Sequence, residues 1–156
     1  MSESFFDTRN GWRLYLHPAF RAQFDALVAE VAGLHARLPR EAYERHPKVR
    51  ILARIRKVIL DDVPSDPASP KYELGNTLGS GQRHWRRAKF NQRFRLFFRF
   101  RSDDRIIIYG WLNGENTLRS RGARNDAYAV FKALLLSGNP PDSWEDLLSA
   151  SSPPRD

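Results

Sequence analysis

Apolar and polar residues alternate from Gly11 to Leu16, where Arg13 and Tyr15 separate Trp12, Leu14 and Leu16, so this run predicts a short strand with one side facing a core. Past His17 and Pro18 the period changes. Phe20, Phe24, Leu27, Val28, Val31, Leu34 and Leu38 recur at the spacing of one helical face, and Pro39 should stop that helix. A second helix is predicted from near Pro47, a favoured first-turn position for proline, through Ile51, Leu52, Ile55, Val58 and Ile59. Arg50, Arg54 and Lys57 then fall on its outer side. From Asp61 to Ser80, three prolines, two glycines and several small polar residues predict a long ordered loop, and long loops in compact domains are often functional.

Three strand-like runs follow: His84 to Phe90, Phe94 to Arg101 and Arg105 to Asn113. The short connections at Asn91-Gln92 and Ser102-Asp103-Asp104 predict antiparallel hairpins, hence a meander. A last long helix should begin near Asn125 or Asp126, either of which can cap it, and carry Val130, Phe131, Leu134 and Leu135 inward. Gly138-Asn139-Pro140-Pro141 ends it. Asp142 and Glu145 have the spacing of a variant capping box ahead of one short helix with Trp144, Leu147 and Leu148. The pattern is that of an α+β protein, one domain over residues 1–149, with a disordered tail over residues 150–156.

The formal charge of +8 is concentrated in a short stretch. Residues 83–105 hold 9 Lys and Arg against 2 Asp and Glu, whereas residues 1–82 hold 12 against 10 and residues 106–156 hold 5 against 6. Such a local field suits a polyanion, and counterion release would make that binding steeply salt-dependent. Strand alternation sharpens the placement. Phe94, Leu96, Phe98 and Phe100 share the core face of their strand, joined by Ala88 and Phe90 of the preceding one. Trp85, Arg87, Lys89, Arg95, Phe97 and Arg99 are then expected together on a solvated face, cations for phosphates beside aromatic rings for unpaired bases. The competing reading is a solvated strand face kept soluble by its arginines. A one-residue slip would exchange Arg86 for Arg87 on that face.

Other classes of chemistry find little support. Cysteine is absent, which removes disulfides, a thiolate nucleophile and sulfur-bound zinc, and His17, His35 and His46 share no local metal-ligand spacing. The run GNTLGSG at residues 75–81 lacks the trailing Lys-Ser/Thr of a phosphate loop. No signal-like amino terminus or long apolar span is present, so the expectation is a cytoplasmic protein without a membrane partner and without a cofactor or metal.

The segments NGWRLYLHP (Asn10 to Pro18), LGSGQRHWRRAKFNQRFRLFFRF (Leu78 to Phe100) and GWLNGENTLR (Gly110 to Arg119), followed by DAYAVF and GNPPDSW, resemble the YhaV toxin family in order and spacing over almost the whole chain. The resemblance implies a RelE-like antiparallel sheet packed by helices. It also implies a toxin of a two-component system, neutralised by a PrlF-type antitoxin, with operator DNA contacted only through the antitoxin complex. The implied reaction is metal-independent cleavage of mRNA, commonly on the ribosome, by attack of a ribose 2'-hydroxyl on the adjacent phosphate. Such a site needs a proton acceptor, charge stabilisation at phosphorus and a proton for the leaving group.

By match of motif, Arg87, Lys89, Arg95 and Arg119 are the catalytic candidates. Arg87 and Arg95 would hold the phosphate, Arg119 would stabilise the transition state, and Lys89 would act as base if neighbouring cations lower its pKa, since arginine stays protonated. RNA-contacting candidates are Trp85, Arg93, Phe97, Arg99, Arg124 and Tyr128. Asp126 and Tyr128 read equally as a cap and a packed aromatic, His84 as a solvated residue on the other face from Arg87, and Asn113, Glu115 and Asn116 as a turn. The rival functions are a non-catalytic RNA- or ribosome-binding module and a protein-interaction subunit bound only by its antitoxin. DNA binding by the chain alone is disfavoured, because no recognition-helix pattern occurs.

Overall fold

The computed structural model describes residues 5–75, 77–79, 81, 84–114 and 126–151. Its strands are β1 (Phe5–Arg9), β2 (Trp12–Leu16), β3 (Arg86–Phe90), β4 (Phe94–Arg101) and β5 (Ile106–Leu112). Its helices are α1 (Pro18–Arg37), α2 (Arg40–Arg45), α3 (Pro47–Lys57), α4 (Val63–Ser65), α5 (Ala127–Ser137) and α6 (Trp144–Ser151). A π-helical turn over Val58–Asp62 joins α3 to α4, and a 3-10 turn spans Pro70–Tyr72.

The strands form a single α+β sheet in the order β1-β2-β5-β4-β3. The expected meander β3-β4-β5 is present and antiparallel. The sheet as a whole is mixed, however, because β2 runs parallel to β5, with Arg13 opposite Ile106 and Leu16 opposite Tyr109. That corrects the antiparallel expectation. β2 and β5 are joined through α1 to α4, β3 and β4 and not by a tight turn, and a parallel pair requires such a long connection.

β1 was not foreseen, though Asn10-Gly11 is a strong hairpin signal. Both residues take positive φ (50° and 81°), as a tight primed turn requires, and β1 pairs antiparallel with β2 around them. Arg105 braces this turn, its Nε donating to Gly11 O (3.1 Å) and its Nη2 to Asn10 O (3.1 Å). α1 ends before Pro39 as predicted. Its first turn is capped by buried His17, whose Nδ1 accepts from Ala19 N (3.0 Å). Burial lowers the His17 pKa to about 4, which keeps the imidazole neutral and able to accept that bond. The predicted 61–80 loop is partly helical and is pinned by buried Tyr72, Leu74 and Leu78. α6 runs on to buried Ser151, two residues past the boundary expected at 149, and residues 152–156 lie outside the described residues.

The largest departure concerns the second face of the sheet. Leu14, Leu16, Leu96, Phe98, Ile107 and Tyr109 pack on one side against Phe20 and Phe24 of α1 and Leu52 and Ile55 of α3. The opposite face, expected to meet solvent, carries a second core: Trp85, Phe97, Ile106, Ile108 and Trp111 lie under Tyr128, Phe131 and Leu135 of α5 and Leu147 of α6. β5 is buried at every position, which is what a central strand covered on both sides demands.

A register shift opposite Phe97/Phe98 makes Gly110 the extra residue of a bulge in β5, and it reverses the alternation so that Tyr109 and Leu112 face one core while Ile108 and Trp111 face the other. Gly110 is required there because a Cβ would lie 2.9 Å from Cζ3 and 3.0 Å from Cη2 of the Trp85 indole, which is fully buried and cannot step aside. Gly110→Ala is therefore expected to cost about 1–3 kcal/mol through overpacking. A denaturant unfolding midpoint equal to that of the parent chain would show that the indole can move.

Candidate active site

The hairpin of β3 and β4 sets Arg87 opposite Phe97 and Lys89 opposite Arg95, so Arg87 and Arg95 are diagonal neighbours on one face. Tyr128, in the first turn of α5, reaches down to them. Its hydroxyl accepts from Arg87 Nε (2.8 Å) and from Arg95 Nε (3.1 Å). Asp126 is the residue that fixes this start of α5, its carboxylate accepting from Tyr128 N (3.1 Å). Two guanidiniums thus meet on one phenol.

The two arginines are held differently. Arg95 is 8% exposed, and its Nη1 donates to Gln92 O and Phe94 O, both at 2.9 Å. Arg87 is half-buried, with Nη1 on the carbonyl of Glu73 in the preceding loop. Asn113, read from sequence as a turn residue, is buried at the end of β5. Its Oδ1 accepts from Arg95 N (2.7 Å) and its Nδ2 donates to Arg93 O (3.0 Å), so it locks the β4 end of the site. Register separates the neighbouring arginines: Arg87 turns to Tyr128, whereas Arg86 lies 5.2 Å over the Phe100 ring and pairs with Glu73 (3.8 Å).

Trp85 and Phe97 correct the expectation of exposed stacking rings. Both are 0% exposed, since α5 and α6 cover the face that alternation alone left open. Arg99 is half-buried as well, its Nη1 donating to Asp142 O (2.6 Å) and its guanidinium lying over Trp85 (5.9 Å) and Trp144 (5.4 Å). Burial lowers its pKa, with Asp142 acting in the opposite sense. Arg93 and Lys89 are exposed, Arg93 in the β3–β4 turn and Lys89 at the strand edge. Arg119 and Arg124, together with Glu115 and Asn116, lie outside the described residues.

Asp142 was misread from sequence. The cap of α6 is Ser143, whose Oγ accepts from Asp146 N (3.1 Å). Asp142 instead takes both His84 Nε2 and Trp85 Nε1 on its Oδ1, each at 2.9 Å. A serine three residues before an acid was the available signal, one step beyond the Asp142–Glu145 pair. Among the described residues no group of three or more His, Asp or Glu side chains is placed to hold a metal ion, and no helix is long and apolar enough to cross a membrane.

The fold and the arginine–tyrosine group thus define a basic α+β protein with a paired-guanidinium site. Comparison with known proteins narrows the class. A family model for YhaV, described as a toxin with endonuclease activity of a toxin-antitoxin system, matches residues 14–152. Toxin YhaV of Escherichia coli O6:H1 (strain CFT073) and Ribonuclease toxin YhaV of Escherichia coli K12 are each 47% identical over 140 residues, covering 88% of this chain and 90% of the relative. No solved structure matches. The chain belongs to the YhaV family of toxins with endonuclease activity.

Proposed function

We propose that this toxin is a cytoplasmic, metal-independent endoribonuclease that cuts mRNA in association with the ribosome. A PrlF-type antitoxin neutralises it, and operator DNA is contacted only by the complex of the two. The observation that carries this reading is the convergence of Arg87 and Arg95 on the Tyr128 hydroxyl. The name of the K12 relative supplies the substrate class, and a site lined by guanidiniums disfavours a divalent cation by like-charge repulsion.

In this mechanism the ribose 2'-hydroxyl attacks the neighbouring phosphorus in line, the 5'-oxygen leaves and takes up a proton, and a 2',3'-cyclic phosphate remains. Arg87, the more open of the pair, binds the scissile phosphate. Arg95, buried among carbonyls, holds Tyr128 and through it the angle of Arg87. Lys89, two residues from Arg87 on β3 and opposite Arg95, accepts the 2'-hydroxyl proton. Arg119 supplies charge at the transition state. It belongs to the stretch between Gly114 and Asp126 in the sequence.

The test is incubation of the purified chain with a messenger fragment in excess chelator, with and without ribosomes, and chemical identification of the new ends. Cyclic phosphate ends in chelator are expected, with Lys89→Ala slower by about 10²-fold. An undiminished rate in Lys89→Ala removes its role as base. RNA that is bound but never cut, with or without ribosomes, moves the protein to the class of non-catalytic binding modules.

A further inference from the structure

A second basic feature lies at the outer edge of β3. A cleft of about 380 Å³ opens there between α3, the π turn, the 3-10 turn and β3, with Arg54, Asp62, Lys71, Tyr72 and Lys89 on its walls. Its size falls within the range of small-ligand sites. Among the described residues that line it, three cations from three separate elements meet, with the carboxylate of Asp62 beside them. That carboxylate is already engaged by Lys57 Nζ (2.6 Å) and more distantly by Arg54 Nη1 (3.9 Å). Lys71 is exposed and stands over the buried Tyr72 ring (5.2 Å). Burial, with Asp62 and Asp66, raises the Tyr72 hydroxyl to about 12, so it stays a neutral donor. Val58 and Asp62 begin and end the π turn, a helix irregularity that often marks functional sites.

Arg54, Lys71 and Lys89 outnumber the Asp62 carboxylate at this cleft, a net positive field that favours an anion, beside a strand that also carries Arg87. Lys89 lines the cleft and lies two residues, about 7 Å, along β3 from Arg87. We propose that this cleft is a subsite for substrate RNA, in which Lys71 and Arg54 bind the backbone phosphate of a nucleotide flanking the scissile bond as the single strand wraps the β3 edge. The proposal rests on the endoribonuclease reading and adds a place where affinity, rather than chemistry, is generated.

The experiment uses the full chain and a labelled single-stranded RNA long enough to span the β3 edge, titrated over a range of salt, with Lys71→Glu and Arg54→Gln singly and together. The double variant should unfold at the parent's midpoint yet bind about 10-fold more weakly, with a salt slope shallower by about 1. Its half-saturating RNA concentration for cleavage should rise by the same factor, while the rate at saturating RNA stays at the parent value. Parent-like affinity in the double variant overturns the subsite and leaves the nuclease standing. So does a fall in saturated rate without a change in affinity. RNA affinity that persists while affinity for the cognate antitoxin drops assigns the cleft to the protein partner and overturns the proposal. A parent chain that binds RNA but cuts none, with binding weakened in the double variant, keeps the cleft and removes the nuclease. A parent chain that neither binds nor cuts removes both.

Discussion

Arg87→Ala is expected to lower RNA cleavage by about 10²- to 10³-fold while leaving the fold intact, because under the proposed mechanism it deletes the charge that holds the scissile phosphate without opening a core. Arg87 is half-buried, and its structural bonds go to the Tyr128 hydroxyl and the Glu73 carbonyl, so their loss should cost only about 1 kcal/mol. Arg87→Lys keeps the charge but loses the planar fork, and it should recover only a small part of the rate. Arg95→Ala provides the contrast. That side chain is buried, and removing it strands the Gln92 and Phe94 carbonyls and takes one donor from the Tyr128 hydroxyl oxygen, so activity and stability should fall together. The measurements are a single-turnover cleavage rate and a denaturant midpoint for each variant. Wild-type cleavage by Arg87→Ala would dismantle the site described above, whatever happened to Arg95.

Phe97→Ala should be among the most destabilising single substitutions in the chain. The ring stacks on Phe131 with centroids 4.1 Å apart and planes at 14°, stacks on Trp111 at 6.0 Å, and meets Tyr128 edge-on at 5.5 Å. Truncating a fully buried phenylalanine typically costs about 3–5 kcal/mol, and here it also removes a floor beneath Tyr128. Unfolding by urea should show the midpoint fall with little change in slope. A base-stacking ring would behave in the opposite way, with RNA affinity reduced and stability nearly untouched. That second outcome would mean the cover of α5 over this face opens when RNA binds.

Local pattern carried part of this site. Alternation placed Leu96 and Phe98 in a core and set Arg87, Arg95, Phe97 and Arg99 on one common face, and all of this holds. The helical period placed α1, α3 and α5, and the acid before α5 is the cap that orients Tyr128. Period two says which side chains share a face, but not whether that face meets water, a distinction made by elements distant in sequence. One clue to a covered face was available. The run Ile106-Ile107-Ile108-Tyr109 is apolar at every position, as in a strand buried on both sides, and Trp111 continues it beyond the Gly110 bulge.

What the sequence determined alone was the set of elements with strong local periodicity, the concentration of positive charge between residues 83 and 105, and the membership of a toxin family. Each of these depends on neighbours in the chain, on composition or on residue identity in order. Tertiary structure alone decided that β2 lies parallel to β5, that α5 and α6 close over Trp85 and Phe97, and that Arg95 is enclosed while Arg87 stays half open. It also decided that Asp142 ties down His84 and Trp85 instead of capping α6, and that Arg54, Lys71 and Lys89 meet at one cleft. The physical reason is common to all of them. Burial and long-range hydrogen bonds depend on which surfaces meet, and sequence spacing carries that information only where the meeting surfaces are close along the chain.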